Sequence, residues 1–576
     1  MRGDRSVPEQ PATFAAVEIQ GTRPTVAAWA ALTGVFWALV WPGIGGVTPL
    51  AFVAWLPLLH ALELHDATRP RRSFLPYVLL AVLLWNAATS WWFFLVSEPI
   101  GTRLVSGLSP MLVNSLLMLL PWWVMRIMRR RIGIAAGFGA LVVAWIAWEH
   151  LHHRWDLKWP WFTLGNVFAS RPAWVQWYEI TGALGGSLWV WGVNLALHHA
   201  IRSAQRAGRW NAPRLWWPAI ALIAVPLVAS YVRYATYAVE GPTVEVVIVQ
   251  PNIDPYNEKF DGIDPLVQLD SMLHLAEQEM TPATALVVMP ETALQESATI
   301  DLRADPVKLH GLWENDIEQA ESTRRMRAFQ QQHRGVALLT GMSSARLYRS
   351  GEELPHTARA IEGTGLWYEA YNAALFLPAH GKAECYNKSK LVAGVEMMPF
   401  EAVLGKLSAL SVDLGGVSGS LGTQDDRAVL RDSLSGMHIA PAICYESVFG
   451  AHVGEHVRNG ANLIAIITND GWWGDSPGPR QHLTFASLRA IEMRRAIARS
   501  ANTGISCWVD PRGVVHDRTM WWQPTAFRAQ LPLVEELTFY ARIGDLIGRT
   551  AWALLLVLFV RLFAQQLQLW RTARRG

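Results

Sequence analysis

The sequence predicts a polytopic α-helical membrane domain, then an α/β layered domain, then one closing membrane helix. Three observations carry this reading. Long stretches of the first half lack Asp, Glu, Lys and Arg; arginines cluster in every second connection between those stretches; and from Pro242 the texture changes to short Val- and Ile-rich runs separated by turns. With 51% hydrophobic and 17% charged residues over 576 positions, the chain is too apolar to be wholly soluble.

The charge-free stretches run from Val26 to Leu62, Ser73 to Ser97, Leu104 to Met125, Ile132 to Trp148, Ile180 to His199 and Leu215 to Val232. Their number and clustering argue against buried helices of a large soluble core. The first stretch is long enough for two short spans broken at Trp41 to Pro49. Residues 25–235 are therefore expected to hold about seven helices, each needing roughly 20 apolar residues. Thr550 to Val560 is apolar but short, between Arg549 and Arg561. Arginines near helix ends can reach back to the interface, so residues 543–566 are read as a further span.

Arg2, Arg5 and Arg23 precede the first span, and Arg69, Arg71 and Arg72 follow the second. Arg126, Arg129, Arg130 and Arg131 follow the fourth, Arg202, Arg206, Arg209 and Arg214 the sixth, and Arg571, Arg574 and Arg575 end the chain. Basic loops stay in the cytoplasm, so both termini are expected inside, with tails at 1–24 and 567–576, and residues 240–542 outside the membrane. The polar first 24 residues lack the apolar region of a cleavable signal, so the first span is read as an uncleaved anchor.

The net charge of +3 is mostly this topological arginine, and no nucleic-acid partner is inferred from it. The 30 tryptophans are read as aromatic belts at the membrane interfaces. Cys385, Cys444 and Cys507 are too few for a disulfide framework, although one pair could oxidise.

In the outside domain, strands are expected at Val244–Val249, Ala285–Met289, Val336–Thr340, Ala373–Leu377, Ile439–Ile443, Leu463–Thr468 and Ser506–Val509. Helices are expected at Asp264–Met280, Asp316–His333 and Arg480–Ser500, an alternation typical of α/β layers. Arg303–Asn315 is read as a loop insertion. Met397–Leu430, with Val403, Leu404, Leu407, Leu410 and the glycine-rich Gly415–Gly422, is read either as a mobile flap touching the membrane or as a surface loop with a packed helix.

Chemistry in such sheets collects beyond the carboxyl ends of strands. Glu291, Cys444 and Asp470 lie just past such ends, and Lys388 lies near another. A thiol with an ordinary pKa near 8.5 needs a base, which Glu291 can be. Lys388 can stabilise negative charge on a carbonyl oxygen, with the backbone N–H of Tyr445 as a second donor. Taken singly, each residue has a plainer role: a core cysteine, a solvated strand cap, a surface lysine. No phosphate-binding glycine loop or His/Cys metal spacing is visible, so neither metal nor cofactor is expected.

Together, Met-Pro-Glu at Met289–Glu291, Lys388 and Ile-Cys-Tyr-Glu at Ile443–Glu446 resemble the Glu, Lys, Cys order of the nitrilase superfamily. The full length resembles its membrane-embedded branch, the apolipoprotein N-acyltransferases. Val249–Ile253, Thr468–Gly474, Gln481-His482, Arg489–Glu492, Asn502–Gly504, Tyr540–Asp545 and Trp159–Gly165 extend the likeness. Two positions depart from it: Met289 stands where tryptophan is frequent, and Lys390 replaces a neutral histidine beside Lys388. Lys390 would either lower the thiol pKa or point to solvent, the second being preferred.

The resemblance implies a nitrilase-like α-β-β-α sandwich in the periplasm of a cell with an inner membrane. It implies Glu291, Lys388 and Cys444 as catalytic residues, with Glu396, Glu446 and Tyr445 in support. Glu446 is equally a hydrogen-bonded strand-end residue. Trp161, Trp472 and Trp473 are candidates for lining the substrate site. The implied reaction moves an acyl chain from a phospholipid to Cys444 as a thioester, then to the α-amine of a diacylglyceryl-cysteine on an apolipoprotein, in a monomeric enzyme. A membrane-anchored amidase and a degenerate accessory membrane protein are the alternatives.

Overall fold

A computed structural model of the chain describes residues 22–97, 99–260, 262–304, 308–349, 351–400 and 420–573. Val403, Leu404, Leu407, Leu410 and Gly415 of the expected flap lie outside the described residues, as do Arg2, Arg5, Arg574 and Arg575.

The first half is a helical bundle. Thr22 caps the opening helix Arg23–Val40, its hydroxyl accepting from the N–H of Thr25. The chain turns at Trp41 and continues as Leu56–Thr68, the break expected there. Leu75–Ser90, Ile100–Leu117, Leu119–Arg131, Ile134–His152, Ala183–Ala207 and Pro213–Thr236 complete the bundle, and Leu546–Ala573 closes the chain. Among the described residues, six helices are long and apolar enough to cross a membrane. Leu56–Thr68 and Ala183–Ala207 are not among these, and Ile100–Leu117 with Leu119–Arg131 counts as one. The last helix is longer than its apolar run because it continues through Arg561 to Ala573. Gly34 lets the first helix approach Leu75–Ser90 closely; a Cβ there would sit 2.6 Å from the Ala81 carbonyl oxygen.

The tryptophans divide: Trp91, Trp123, Trp210, Trp217, Trp552 and Trp570 are exposed, as belts require, while others fill the core. Trp37, Trp41, Trp55, Trp85, Trp122, Trp145 and Trp191 are fully buried inside the bundle. Trp55 stacks on Trp191 with centroids 4.9 Å apart and planes at 7°, and Trp37 stacks on Trp85 at 4.9 Å. Packing among helices claims these rings, because large aromatic surface gains more from dense contact than from an interfacial position.

The basic ends gather on one face. Asp66 takes Arg126 at 2.5 Å and Arg129 at 3.2 Å, and Glu63 takes Arg202 at 2.8 Å. The helix Ile134–His152 starts beside Arg131 on that face and ends at His152, beneath the α/β domain.

The α/β domain has four layers. One sheet orders its strands Thr525–Pro532, Thr243–Gln250, Thr284–Val288, Ala337–Tyr348, Leu366–Leu377 and Arg359–Ile361, with Glu384–Asn387 also pairing with Leu366–Leu377. The second orders Val515–His516, Cys507–Val509, Ala496–Ala501, Leu463–Thr468, Met437–Ile443 and Leu430–Asp432. The central three strands of the second sheet are parallel and, apart from His438, buried along their whole length. Alternation assigns the faces. Val246 and Ile248 join the core that also holds Ile443, Ala465 and Ile467, while Val247 and Val249 pack with Leu269, Met272 and Met326 of the helices Pro265–Glu279 and Glu321–Gln332. Gly450–Arg458 and Pro477–Met493 cover the other outer face through Val453, Val457, Leu483 and Ala486.

Two local expectations are corrected. The helix expected to run to Ser500 stops at Met493, because Arg494 adopts a left-handed conformation (φ 50°) and Ala496–Ala501 joins the sheet beside Leu463–Thr468. The insertion at 303–315 contains part of a small hairpin, Thr299–Asp301 with Lys308–His310.

Candidate active site

Each candidate side chain sits where a strand ends. Glu291 follows Thr284–Val288 by way of Met289-Pro290, Lys388 follows Glu384–Asn387 directly, and Cys444 follows Met437–Ile443. All three are buried, Lys388 to 1% exposure. Cys444 (φ 51°) and Thr292 (φ 46°) both occupy the left-handed region that favours glycine. Such strain persists only where the surroundings impose it, and here it turns the nucleophile and the base out of their strands.

Lys388 lies between two carboxylates, its Nζ 3.1 Å from Glu291 Oε1 and 2.8 Å from Glu396 Oε1. Asn372 Nδ2 donates to the same two oxygens at 2.8 and 2.9 Å. The backbone N–H of Asn469 donates to Glu291 Oε2 at 3.0 Å, and that of Val392 to Glu396 Oε2 at 2.8 Å. Burial alone would push Lys388 down, but Glu291 and Glu396 outweigh it and hold the ammonium well above its ordinary range.

The thiol is in the opposite position. Burial first, then the Glu291 charge, pushes Cys444 well above the ordinary thiol value, with Lys388 offsetting only part of the rise. The resting cysteine is therefore a thiol, and its proton must move to a base during the reaction. Cys385 and Cys507 are pushed up by burial as well, Cys507 to about 11. Alkylation of Cys444 by iodoacetamide is accordingly expected to be slow at pH 7.5. It should climb about tenfold per pH unit without levelling by pH 9, because the thiolate is the reactive form and the thiol stays protonated throughout that window. Mass spectrometry of the Cys444 peptide checks this; a plateau near pH 8 contradicts it.

Glu446 braces the nucleophile rather than facing the reaction. It is fully buried and accepts from the N–H of Ile443 (2.9 Å), Ser389 (2.7 Å) and Lys390 (3.2 Å) and from the Tyr386 hydroxyl (2.9 Å). Burial would raise its pKa, but His452 at 3.2 Å and the backbone donors hold it down at about 2. Of the two sequence readings of Glu446, this geometry matches the hydrogen-bonded strand-end residue. Tyr445 is also buried, with its hydroxyl donating to the Lys158 carbonyl at 2.9 Å. Lys390 is half-buried, its Nζ 5.8 Å from the Phe449 ring centroid and near Arg427 and Lys158. This departs from the solvent-facing expectation, since the short reach to the Phe449 face covers it.

An apolar cleft of about 320 Å³ connects the bundle to the nucleophile loop. Val105, Pro110 and Leu117 of the helix Ile100–Leu117 form one wall, Trp159 and Val392 another, and Tyr445 the end.

Residues 246–537 match the carbon-nitrogen hydrolase family, and residues 25–196 match the apolipoprotein N-acyltransferase N-terminal domain. A Chlorobaculum tepidum protein named apolipoprotein N-acyltransferase is 32% identical over 517 residues, covering 88% of this chain and 90% of its own. The chain belongs to the apolipoprotein N-acyltransferase family. A Geobacter metallireducens protein of the same name is 28% identical, covering 91% of this chain and 92% of its own. The crystal structure of Saccharomyces cerevisiae Nit3, of the nitrilase superfamily, aligns with 54% of this chain and 98% of its own at 15% identity and a TM-score of 0.37.

In this apolipoprotein N-acyltransferase family member, the three candidate lining tryptophans lie elsewhere than the cleft wall. Trp161 is buried and donates to Gln481 Oε1 at 2.6 Å. Trp472 is buried against Phe260, and Trp473 meets Trp92 at 4.9 Å between centroids. Trp161 and Trp473 seal the seam between bundle and α/β domain; Trp159 is the tryptophan in the cleft.

Asn372 and Lys259 escaped the sequence reading, and Asp470 and His482 were noted there without a role. Asn372, midway along a strand, carries no motif. Beneath the nucleophile, Asp470 accepts from Arg499 at 2.5 Å and faces His482 Nδ1 at 2.9 Å, while His482 Nε2 lies 3.1 Å from the Cys444 carbonyl oxygen. Ligand atoms of Cys444, Asp470 and His482 lie within 4.8 Å of one another, close enough to hold a cation. The Arg499 guanidinium already balances Asp470 and opposes a second positive charge there.

Lys259 is 1% exposed, and its Nζ donates to the Glu291 carbonyl (2.9 Å) and to Thr292 Oγ1 (2.7 Å). Burial pushes it down to about 7 against the pull of Glu291. Its sequence signal was a lysine soon after the opening strand, easily taken as surface. Lys259→Met leaves that carbonyl and hydroxyl without their donor, so acyl-adduct formation is expected to slow by about 10- to 100-fold, with little change in KM for phospholipid. Single-turnover kinetics reads this directly.

Proposed function

We propose that this chain is a membrane-embedded N-acyltransferase that moves an acyl chain from a phospholipid to the α-amine of an apolipoprotein's diacylglyceryl-cysteine. The observation that carries the reading is the apolar cleft from the helix Ile100–Leu117 to Tyr445, beside Cys444. A lipid can enter it from the bilayer with its ester near the thiol.

Glu291 takes the Cys444 proton as Sγ attacks the ester carbonyl. Lys388 faces the developing oxyanion together with the Tyr445 backbone N–H, a donor worth roughly 3 kcal/mol in the transition state. The C–O bond breaks, the lysophospholipid oxygen takes the proton from Glu291, and the thioester remains. The neutral α-amine of the acceptor then attacks the thioester, giving its proton to Glu291, and the C–S bond breaks. The thiolate recovers that proton, and the product is an amide. Glu396 and Asn372 keep Lys388 and Glu291 in register through both halves.

The catalytic domain is placed in the periplasm, on the inner membrane's outer face. Supporting this, the Asp66 and Glu63 ion pairs gather the arginine-rich ends on the face away from the α/β domain. All proposed catalytic groups come from one chain, which suits a monomer. A small-molecule amidase would leave the lipid-sized cleft without a purpose, and an accessory role would leave the assembled Glu, Lys and Cys without one.

The test is purified protein with acyl-labelled phospholipid. A hydroxylamine-sensitive adduct should form and pass to a diacylglyceryl-cysteine peptide. No adduct under any lipid composition would sink the reading.

A further inference from the structure

We propose that a second, polar cavity behind the Lys388 loop holds the first residues of the acceptor's polypeptide, those following its acylated cysteine. The inference rests on the acyl-transfer reading above and gives that reaction's second substrate a place.

The cavity measures about 690 Å³, within the range of ligand pockets. It shares a wall with the active site. Lys388 points to Glu291, while its neighbours Asn387 and Ser389 line the cavity. Lys158 and Met398 border both this cavity and the apolar cleft, so the two spaces meet at one rim.

Their chemistry differs. The cleft is lined mainly by apolar side chains, with Asn114, His152 and Lys158 among them, whereas the cavity presents Arg346, Glu369, Asn387, Gln424 and Asp425 beside Leu391 and Leu421. Glu369 is 4% exposed and accepts from the hydroxyls of Thr357, Tyr348 and Tyr371, so the floor is a fixed carboxylate ringed by hydroxyls. Arg346 stands over the Tyr348 ring, with Glu352 3.6 Å away. Charges of both signs among amide and hydroxyl side chains suit the N–H and C=O groups of an extended peptide. They do not suit acyl chains.

A protein acceptor imposes this division. Its diacylglyceryl group belongs in the apolar cleft and its amine at the thioester, so its polypeptide must leave along a polar route. Among the described residues, the cavity at the shared rim is such a route.

The experiment separates the half-reactions in the full-length protein. Arg346→Ala/Asp425→Ala removes two side chains from the cavity, and Thr423→Trp fills it from its exposed edge; none belongs to the proposed catalytic groups. Three rates are measured: adduct formation from labelled phospholipid in vesicles, transfer to diacylglyceryl-cysteine alone, and transfer to diacylglyceryl-cysteine carrying a five-residue peptide. Both variants are expected to lower kcat/KM for the peptide-bearing acceptor about tenfold and to leave the other two rates within about twofold. An equal loss with both acceptors, or no loss, overturns the proposal. Slower adduct formation also overturns it and assigns the cavity to the phospholipid headgroup. Absence of any adduct in the unsubstituted protein counts against the acyl-transfer reading instead.

Discussion

Cys444→Ala is expected to abolish the labelled adduct and to lower N-acylation by at least about 10⁴-fold, since nothing else in the site can carry the acyl group. The other two cysteines do not substitute for it: Cys507 is wholly buried and Cys385 lies in a strand of the other sheet. The alanine should barely affect folding, because Glu446, Ser447 and His482 hold the turn through backbone groups. Cys444→Ser is the finer test. Its hydroxyl would need the same proton transfer to Glu291 from a much weaker acid, so a trace of oxygen ester that resists neutral hydroxylamine is expected. A hydroxylamine-sensitive adduct in Cys444→Ala would place the acyl group on another residue.

The second large effect is Lys388→Met. Among the described residues, the variant leaves Glu291 and Glu396 with Asn372 as their only shared side-chain donor, and removing one partner from a buried charge set costs about 3–5 kcal/mol. Lys388→Met/Glu396→Gln is expected to recover most of the stability near pH 7 and remain inactive, which separates the lysine's structural share from its role toward the oxyanion. Recovery of N-acylation in the double variant would refute that role.

The strand-end positions were legible because apolar β-prone runs are easy to see and each is followed by one reactive side chain, as at Val288 to Glu291 and Ile443 to Cys444. The two-sheet sandwich followed only with the resemblance, since Ala496–Ala501 (Ala-Ile-Ala-Arg-Ser-Ala) reads equally as helix until Arg494 turns the chain. Asn372 and Lys259 were invisible for another reason. Their importance lies in which carbonyl or carboxylate they meet across 81 and 32 residues of sequence, and no local pattern records that. Tryptophan was only partly legible: its amphipathic ring suits an interface, but helices packed closely enough can use all of its surface, and no local pattern tells the two sets apart.

That tryptophan core has a practical consequence for stability measurements. Seven of the 30 tryptophans fall in residues 240–542, whereas the stacked pairs Trp55 with Trp191 and Trp37 with Trp85 belong to the bundle. Intrinsic ultraviolet emission is therefore chiefly a signal from the bundle. A heating curve followed by fluorescence will report mainly the bundle for Lys388→Met, with a smaller share from the α/β layers, and a probe placed in those layers will register their loss more directly.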